Sequence, residues 1–224
     1  MCLILVAWRQ HPEFPLVVAA NRDEFHARPA ARAGFWKDQP GILAGRDLEA
    51  KGTWMGVSRS GRFAAVTNYR GGRDPNAAES RGALVTGFLL KSQNPESYIS
   101  ELSKRKDSYS GFNLLAAGGN ELWWLSNRDG EAKKLEPGFY ALGNFLLDTP
   151  EVMEVKSRFE VTHLAIESLF ALLATAKIVA PTYGTRCSTV LLAGSDGRLQ
   201  FAERPFDAGG IEGETVRFEM PRKG

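Results

Sequence analysis

A chain of 224 residues, 43% hydrophobic and 24% charged, holds enough apolar material for one sizeable core, so a single domain over residues 1–224 is expected. Its 28 lysines and arginines against 26 aspartates and glutamates leave a net charge of +2 with no basic block, which argues against nucleic acid or an anionic membrane surface as partner. The first apolar run, Leu3 to Trp8, is too short for a secretory signal and nothing approaches a membrane span, so a cytoplasmic protein without integral membrane association is expected.

In chain order, Leu3–Trp8 and Leu16–Ala20 read as a hairpin whose connection carries Pro12 and Pro15. From Phe25 to Glu49 the composition is rich in Ala, Arg, Gly and Pro and shows neither period, which predicts a long surface loop. Thr53–Ser58 and Arg62–Tyr69 form a second hairpin around Arg59-Ser60-Gly61. A helix follows Ser80, with Leu84, Val85, Phe88 and Leu89 on one face. A second begins at Asn94-Pro95, a cap followed by proline at the first helical position.

Strands return at Phe112–Ala117, Glu121–Ser126 and Gly138–Leu142. One long helix is expected from Pro150 to Ala176, striped by Val152, Val155, Phe159, Ile166, Leu169 and Leu173. Cys187–Ala193, Arg198–Glu203 and Glu214–Phe218 complete the strands, and the tail Glu219–Gly224 is expected to fray. Strands, a helical pair, strands, a helix and strands again argue α+β with antiparallel sheets and helices on the outer faces.

Chemistry concentrates at the start. After removal of Met1, Cys2 would carry a thiol and a free α-amine on one residue, a nucleophile beside its own proton acceptor. The amine titrates near about 7.7–8.0 and the thiol near about 8.5, so positive surroundings would shift the thiol toward thiolate. The bland alternative is a small apolar residue starting a buried strand. Asn21-Arg22-Asp23-Glu24 ends the strand that pairs with the Cys2 strand: Arg22 would favour thiolate and Asp23 would orient the terminal ammonium, or the four residues simply cap a hairpin with an ion pair. Cys2 and Cys187 read as two reduced thiols, and His11, His26 and His163 are scattered with no metal-binding spacing, so no metal site is expected.

Met1-Cys2, Ala20-Asn21-Arg22-Asp23-Glu24, Ala27-Arg28-Pro29, Lys51-Gly52-Thr53-Trp54, Thr67-Asn68-Tyr69-Arg70, Ser80-Arg81-Gly82, Gly111-Phe112-Asn113-Leu114, Leu142-Gly143-Asn144 and Tyr183-Gly184-Thr185-Arg186 occur in order over most of the chain. Together they resemble the NRDE family, also called the transport and Golgi organization protein 2 family. Cys187 stands where that pattern leads to serine. The resemblance implies an αββα four-layer sandwich of the N-terminal-nucleophile (Ntn) hydrolase kind. A more distant similarity, to choloylglycine hydrolase and penicillin V acylase amidases, implies a catalytic set of Cys2, Arg22, Asp23, Asn68, Asn144 and Arg186, with Asn68 and Asn144 as oxyanion donors.

Each residue keeps a rival reading. Asn68 and Asn144 suit turns, Arg186 suits an ion pair at the edge of the core, and Cys187 is either a buried strand residue or the reactive thiol. Two functions follow. The first is hydrolysis or transfer of an acyl group from a linear amide or thioester, with no cofactor required. The second, implied by the family resemblance, is a non-catalytic carrier or chaperone for haem or acyl-CoA and lipid, in which Asn21, Glu24, Arg28 and His26 would line the ligand, arginines meet its acidic groups and Cys2 or His26 approach iron.

Overall fold

The computed structural model describes residues 2–71, 74 and 77–221. The strands are β1 (Leu3–Trp8), β2 (Leu16–Phe25), β3 (Ala30–Phe35), β4 (Ile42–Asp47), β5 (Met55–Ser58) and β6 (Phe63–Asn68), followed by helices α1 (Gly82–Leu90) and α2 (Pro95–Ser103). Next come β7 (Phe112–Gly118), β8 (Glu121–Ser126), β9 (Lys133–Lys134), β10 (Gly138–Leu142), α3 (Pro150–Glu160) and α4 (Ile166–Ala174). The chain closes with β11 (Tyr183–Ala193), β12 (Arg198–Pro205) and β13 (Val216–Pro221). None of the helices among the described residues is long and apolar enough to cross a membrane.

These elements form two compact units. The first takes in the chain through Arg28, Pro137–Gly143 and the stretch from Leu147 onward; the second takes in Pro29–Glu136 and Asn144–Leu146. The first unit is a six-stranded antiparallel sheet in the order β10-β1-β2-β11-β12-β13. Strand alternation sends Leu5, Ala7, Val17, Ala19, Val190 and Leu192 into a core with Val152 and Phe159 of α3 and Leu169 and Leu173 of α4. The opposite face, with Ile4, Val6, Val18, Leu191 and Phe201, is buried too, which is why these strands read as unbroken apolar runs.

The second unit is a seven-stranded antiparallel sheet in sequential order, β3 through β9. Leu84, Val85 and Phe88 of α1 and Tyr98, Ile99 and Leu102 of α2 pack with Ala64, Val66, Leu114 and Ala116 of the sheet. Helix α2 starts as its sequence predicts, with the Asn94 side chain accepting from the Ser97 N–H at 2.8 Å and Pro95 at the first position.

Three expectations are corrected, and one strand that the sequence does not signal, β9, is added. The stretch from Phe25 to Glu49 is not a loop, because β3 and β4 pair there as sheet strands. Their alternation is hidden by Ala and Gly positions, of which Gly45 leaves room for the Trp54 ring that a Cβ there would displace. The long helix breaks at 161–165. Two β-branched residues, Val161 and Thr162, come in succession, Thr162 Oγ1 turns back onto the Arg158 carbonyl at 2.7 Å, and Val161 is 86% exposed, so no apolar contact rewards continuing the helix. The short β9 pairs Lys133 and Lys134 with Trp124 and Trp123, held by backbone pairing and not by any apolar pattern of its own. Glu219 to Pro221 belong to β13, paired with Gln200 to Arg198, and do not fray; residues 222–224, like Met1, lie outside the described residues.

Two of the recurring motifs are explained by contact. A Cβ on Gly52 would lie 2.6 Å from the Gly82 carbonyl carbon, so Lys51-Gly52-Thr53-Trp54 and Ser80-Arg81-Gly82 meet backbone against backbone where α1 begins.

Candidate functional site

Strand β2 lies between β1 and β11, and its last residues carry Asn-Arg-Asp-Glu. Leu3 pairs with Asn21, Ser188 with Asn21, Cys187 with Arg22 and Thr185 with Asp23, the register slipping between Thr185 and Cys187 at a bulge. Asn21 is 2% exposed and both ends of its amide are used: Nδ2 donates to the Leu173 carbonyl at 2.9 Å and Oδ1 accepts from Ser188 Oγ at 2.6 Å. The sequence reading placed Asn21 among ligand-binding residues. Its position makes it a buried tether between the sheet and the end of α4.

Cys2 sits just ahead of β1. Its Sγ lies 3.4 Å from both the backbone N and the backbone O of Asp23, accepting from one and donating to the other. Asp23 is 4% exposed, and its Oδ1 accepts from Thr185 Oγ1 at 2.6 Å; that oxygen in turn accepts from the Ile178 N–H at 2.9 Å. Arg22 is also buried, and its Nη2 is 3.9 Å from Glu24 Oε2. The thiol is not shifted toward thiolate. Burial, then the charge of Asp23, push it up to about 11 against the opposing pull of the Asp23 N–H and Arg22.

This shift has a consequence for stability. An unfolded thiol titrates near about 8.5, so the folded chain holds the proton more tightly. The resulting stabilisation is complete below that value and is lost as the pH rises through about 11. Unfolding midpoints are therefore expected to fall on the alkaline side, and Cys2→Ala to flatten part of that fall. Superimposable wild-type and Cys2→Ala profiles above pH ~9 would contradict the shift.

Around this centre the remaining polar groups are occupied. Arg186 Nη1 lies 3.0 Å from the carbonyls of Phe25 and His26 and 3.4 Å from that of Arg28, so it staples the stretch after β2 and forms this clamp where an ion pair was one expectation. His26 Nε2 is 3.0 Å from the Ala180 carbonyl, and its ring lies against Gly184. Glu24 Oε1 accepts from the Phe25 N–H at 2.9 Å. Cys187 is 5% exposed and its thiol is held well above the ordinary range by burial and then by the Glu203 carboxylate, to which it donates, which favours the buried-strand reading over a reactive thiol. Tyr183 stacks edge-on to Phe25 with centroids 5.3 Å apart; burial, then the nearby Cys2, Asp23 and Glu24, raise its hydroxyl.

Asn68 and Asn144 belong to the second unit and are joined there: Asn144 Nδ2 donates to the Asn68 carbonyl at 2.7 Å, while the Asn144 carbonyl accepts from the Arg70 N–H at 2.7 Å. An amide nitrogen has two N–H groups, so one remains to donate elsewhere. Asn113, wholly buried, fixes the same segment by donating to Phe145 O at 2.7 Å and Thr67 Oγ1 at 3.1 Å.

Comparison with known proteins gives the chain's family and fold. The pattern of the family described as Transport and Golgi organisation 2 matches residues 1–175. A Bos taurus Transport and Golgi organization protein 2 homolog is 34% identical over 91% of this chain and 92% of its own length, and a Mus musculus homolog 32% identical over 98% and 96%. The chain belongs to the Transport and Golgi organisation 2 family. Among solved structures, a Caenorhabditis elegans N-acylethanolamine-hydrolyzing acid amidase ortholog superposes with a TM-score of 0.51 at 14% identity, covering 85% of this chain and 92% of that one. The fold is thus the expected α+β class with antiparallel sheets and helices, of the Ntn-hydrolase kind.

Within this family member, Thr185, Tyr183 and Asn113 were not singled out from sequence. They lie inside Tyr183-Gly184-Thr185-Arg186 and Gly111-Phe112-Asn113-Leu114, whose resemblance to the family pattern is the signal in the sequence, but only the strand register shows which of their side chains are brought together.

Proposed function

We propose that this Transport and Golgi organisation 2 family member hydrolyses or transfers an acyl group from a linear amide or thioester, using Cys2 as nucleophile once Met1 is removed. The observation that carries the reading is the Cys2 thiol seated on the Asp23 backbone, where burial holds its proton tightly. Such a thiol is inert without a proton acceptor beside it, and the α-amine of a processed Cys2 is that acceptor. The sulfur attacks the carbonyl carbon while the amine takes its proton. The C–N or C–S bond then breaks as the ammonium returns the proton to the leaving group. Water, deprotonated by the same amine, releases the acid and restores the thiol. Asp23 holds the ammonium and Arg22 offsets charge. Asn68 and Asn144 keep the oxyanion role that the amidase resemblance gives them, a contribution of about 2.7–4 kcal/mol per donor in comparable sites. The amide class is supported by the fold shared with an amidase named for hydrolysing N-acylethanolamines.

The carrier reading treats haem or acyl-CoA as cargo. Its candidate iron ligand His26 has Nε2 engaged by the Ala180 carbonyl, which leaves Nδ1 as the ligating nitrogen. Peptide mapping and intact mass after limiting iodoacetamide at neutral pH test the choice. Loss of Met1 with Cys2 alkylated at least about tenfold faster than Cys187 is expected, as activated and buried thiols differ by that much or more. A retained Met1 or an inert Cys2 ends the hydrolase reading and directs attention to haem and acyl-CoA titrations, where a haem absorption shift surviving in Cys2→Ala and His26→Ala would remove direct ligation.

A further inference from the structure

Thr185 is 1% exposed and sits at the bulge that interrupts the pairing of β2 with β11. A bulge re-aims the side chains beside it. Here the re-aimed hydroxyl meets a buried carboxylate: Thr185 Oγ1 donates to Asp23 Oδ1 at 2.6 Å. A hydroxyl that donates its one hydrogen can be fixed in direction only by what it accepts, and Thr185 Oγ1 accepts from the Ile178 N–H at 2.9 Å, while the Thr185 N–H returns a bond to the Ile178 carbonyl at 2.9 Å. The order of donors, Ile178 to Thr185 to Asp23, leaves the hydroxyl a single orientation. The same Asp23 bears Cys2 on its backbone, so one residue receives the relay on its side chain and the thiol on its main chain.

We propose that Thr185 is a positioning residue for the Cys2 centre: it locks the Asp23 carboxylate in the direction that holds the α-amine of Cys2 against its thiol. This inference rests on the acyl-transfer reading above and adds a residue that the motif comparison does not assign. Thr185 touches neither substrate nor the reacting atoms and acts through Asp23. The charged side chains that act on Cys2 are Asp23 and Arg22, Tyr183 is coupled to the same thiol, and neither variant below alters any of them.

The test uses full-length protein shown by intact mass to have lost Met1. Alkylation of Cys2 by iodoacetamide is followed by peptide mass at pH 7 and at pH 10.5 in wild type, Thr185→Ser and Thr185→Val. Valine keeps the shape and loses the hydroxyl; serine keeps the hydroxyl. At neutral pH the reaction needs the amine to take the thiol proton, whereas toward the alkaline end the thiolate forms unaided. Thr185→Val is expected to react about tenfold more slowly at pH 7, the scale of a misplaced general base, and within about twofold of wild type at pH 10.5, with Thr185→Ser matching wild type at both. A purely structural role would move both pH values together. Against a reactive wild type, an unchanged Thr185→Val rate at pH 7, or a parallel loss at both pH values, overturns this inference alone. A processed wild type whose Cys2 is inert at pH 7 overturns the acyl-transfer reading beneath it.

Discussion

Cys2→Ala is expected to reduce acyl turnover by at least about 10³-fold, the scale on which removal of a nucleophile acts when binding and oxyanion contacts remain. The α-amine survives in this variant, so any residual rate measures what amine-activated water achieves without a covalent intermediate. Cys2→Ser separates the two contributions further, since it keeps the amine and a hydroxyl but exchanges a thiol for a weaker nucleophile, and its activity should fall between wild type and Cys2→Ala. The measurement is single-turnover acylation with a p-nitrophenyl ester followed by intact mass: the acyl-enzyme adduct should appear on wild type, form slowly on Cys2→Ser and be absent from Cys2→Ala. Equal release of p-nitrophenol by all three proteins would sink the nucleophile assignment. Binding of haem or acyl-CoA with unchanged affinity in Cys2→Ala, together with no acyl adduct on wild type, would place the chain with carriers.

The second large effect concerns stability. Asn21→Leu keeps nearly the same volume but removes the amide that joins Ser188 Oγ to the Leu173 carbonyl. The Leu173 carbonyl retains the Ala176 N–H at 3.1 Å, so it is not left unsatisfied; the buried Ser188 hydroxyl loses its acceptor. One lost bond of about 1 kcal/mol and one stranded buried polar group of about 1–3 kcal/mol give a destabilisation of about 2–4 kcal/mol, or a fall in melting temperature of roughly 4–16 °C for a chain of this size. Ser188→Ala leaves the buried Asn21 Oδ1 without its donor but keeps the bond to the Leu173 carbonyl, and should cost less, about 1–3 kcal/mol. Denaturant unfolding of the two variants checks the order, and an Asn21→Leu midpoint equal to that of wild type would mean the tether contributes nothing.

How much of this was legible beforehand depended on whether a residue's role was local. The β1–β2 hairpin, the Asn94 cap of α2 and the strands β7 and β8 follow from nearby turns, caps and apolar periods, and they form where their sequences predict. Strands β3 and β4 were missed because their ladder partners supply what their own Ala- and Gly-rich pattern lacks, and the 161–165 break was missed because the stripe of α3 resumes in α4 at a spacing compatible with one continuous helix. In the candidate site, the run of four polar residues from Asn21 to Glu24 hides the alternation of faces on its strand. Asn21 and Asp23 turn to Ser188 and Thr185 of β11, whereas Arg22 pairs across to Cys187, and only a register spanning more than 160 positions of sequence distinguishes them. The direction of the Cys2 shift was equally out of reach, because charge can be counted from sequence and burial cannot.

The division of the chain between its two units also orders its manufacture. The second unit needs nothing among the described residues beyond Leu146. The contact between Asp23 and Thr185, by contrast, joins positions 162 residues apart, and β1 has its partners in β2 and the much later β10. A ribosome therefore releases every segment of one unit while the other still lacks its central strand β11. The Cys2 thiol is thus synthesised long before the strand whose Thr185 braces the Asp23 beneath it.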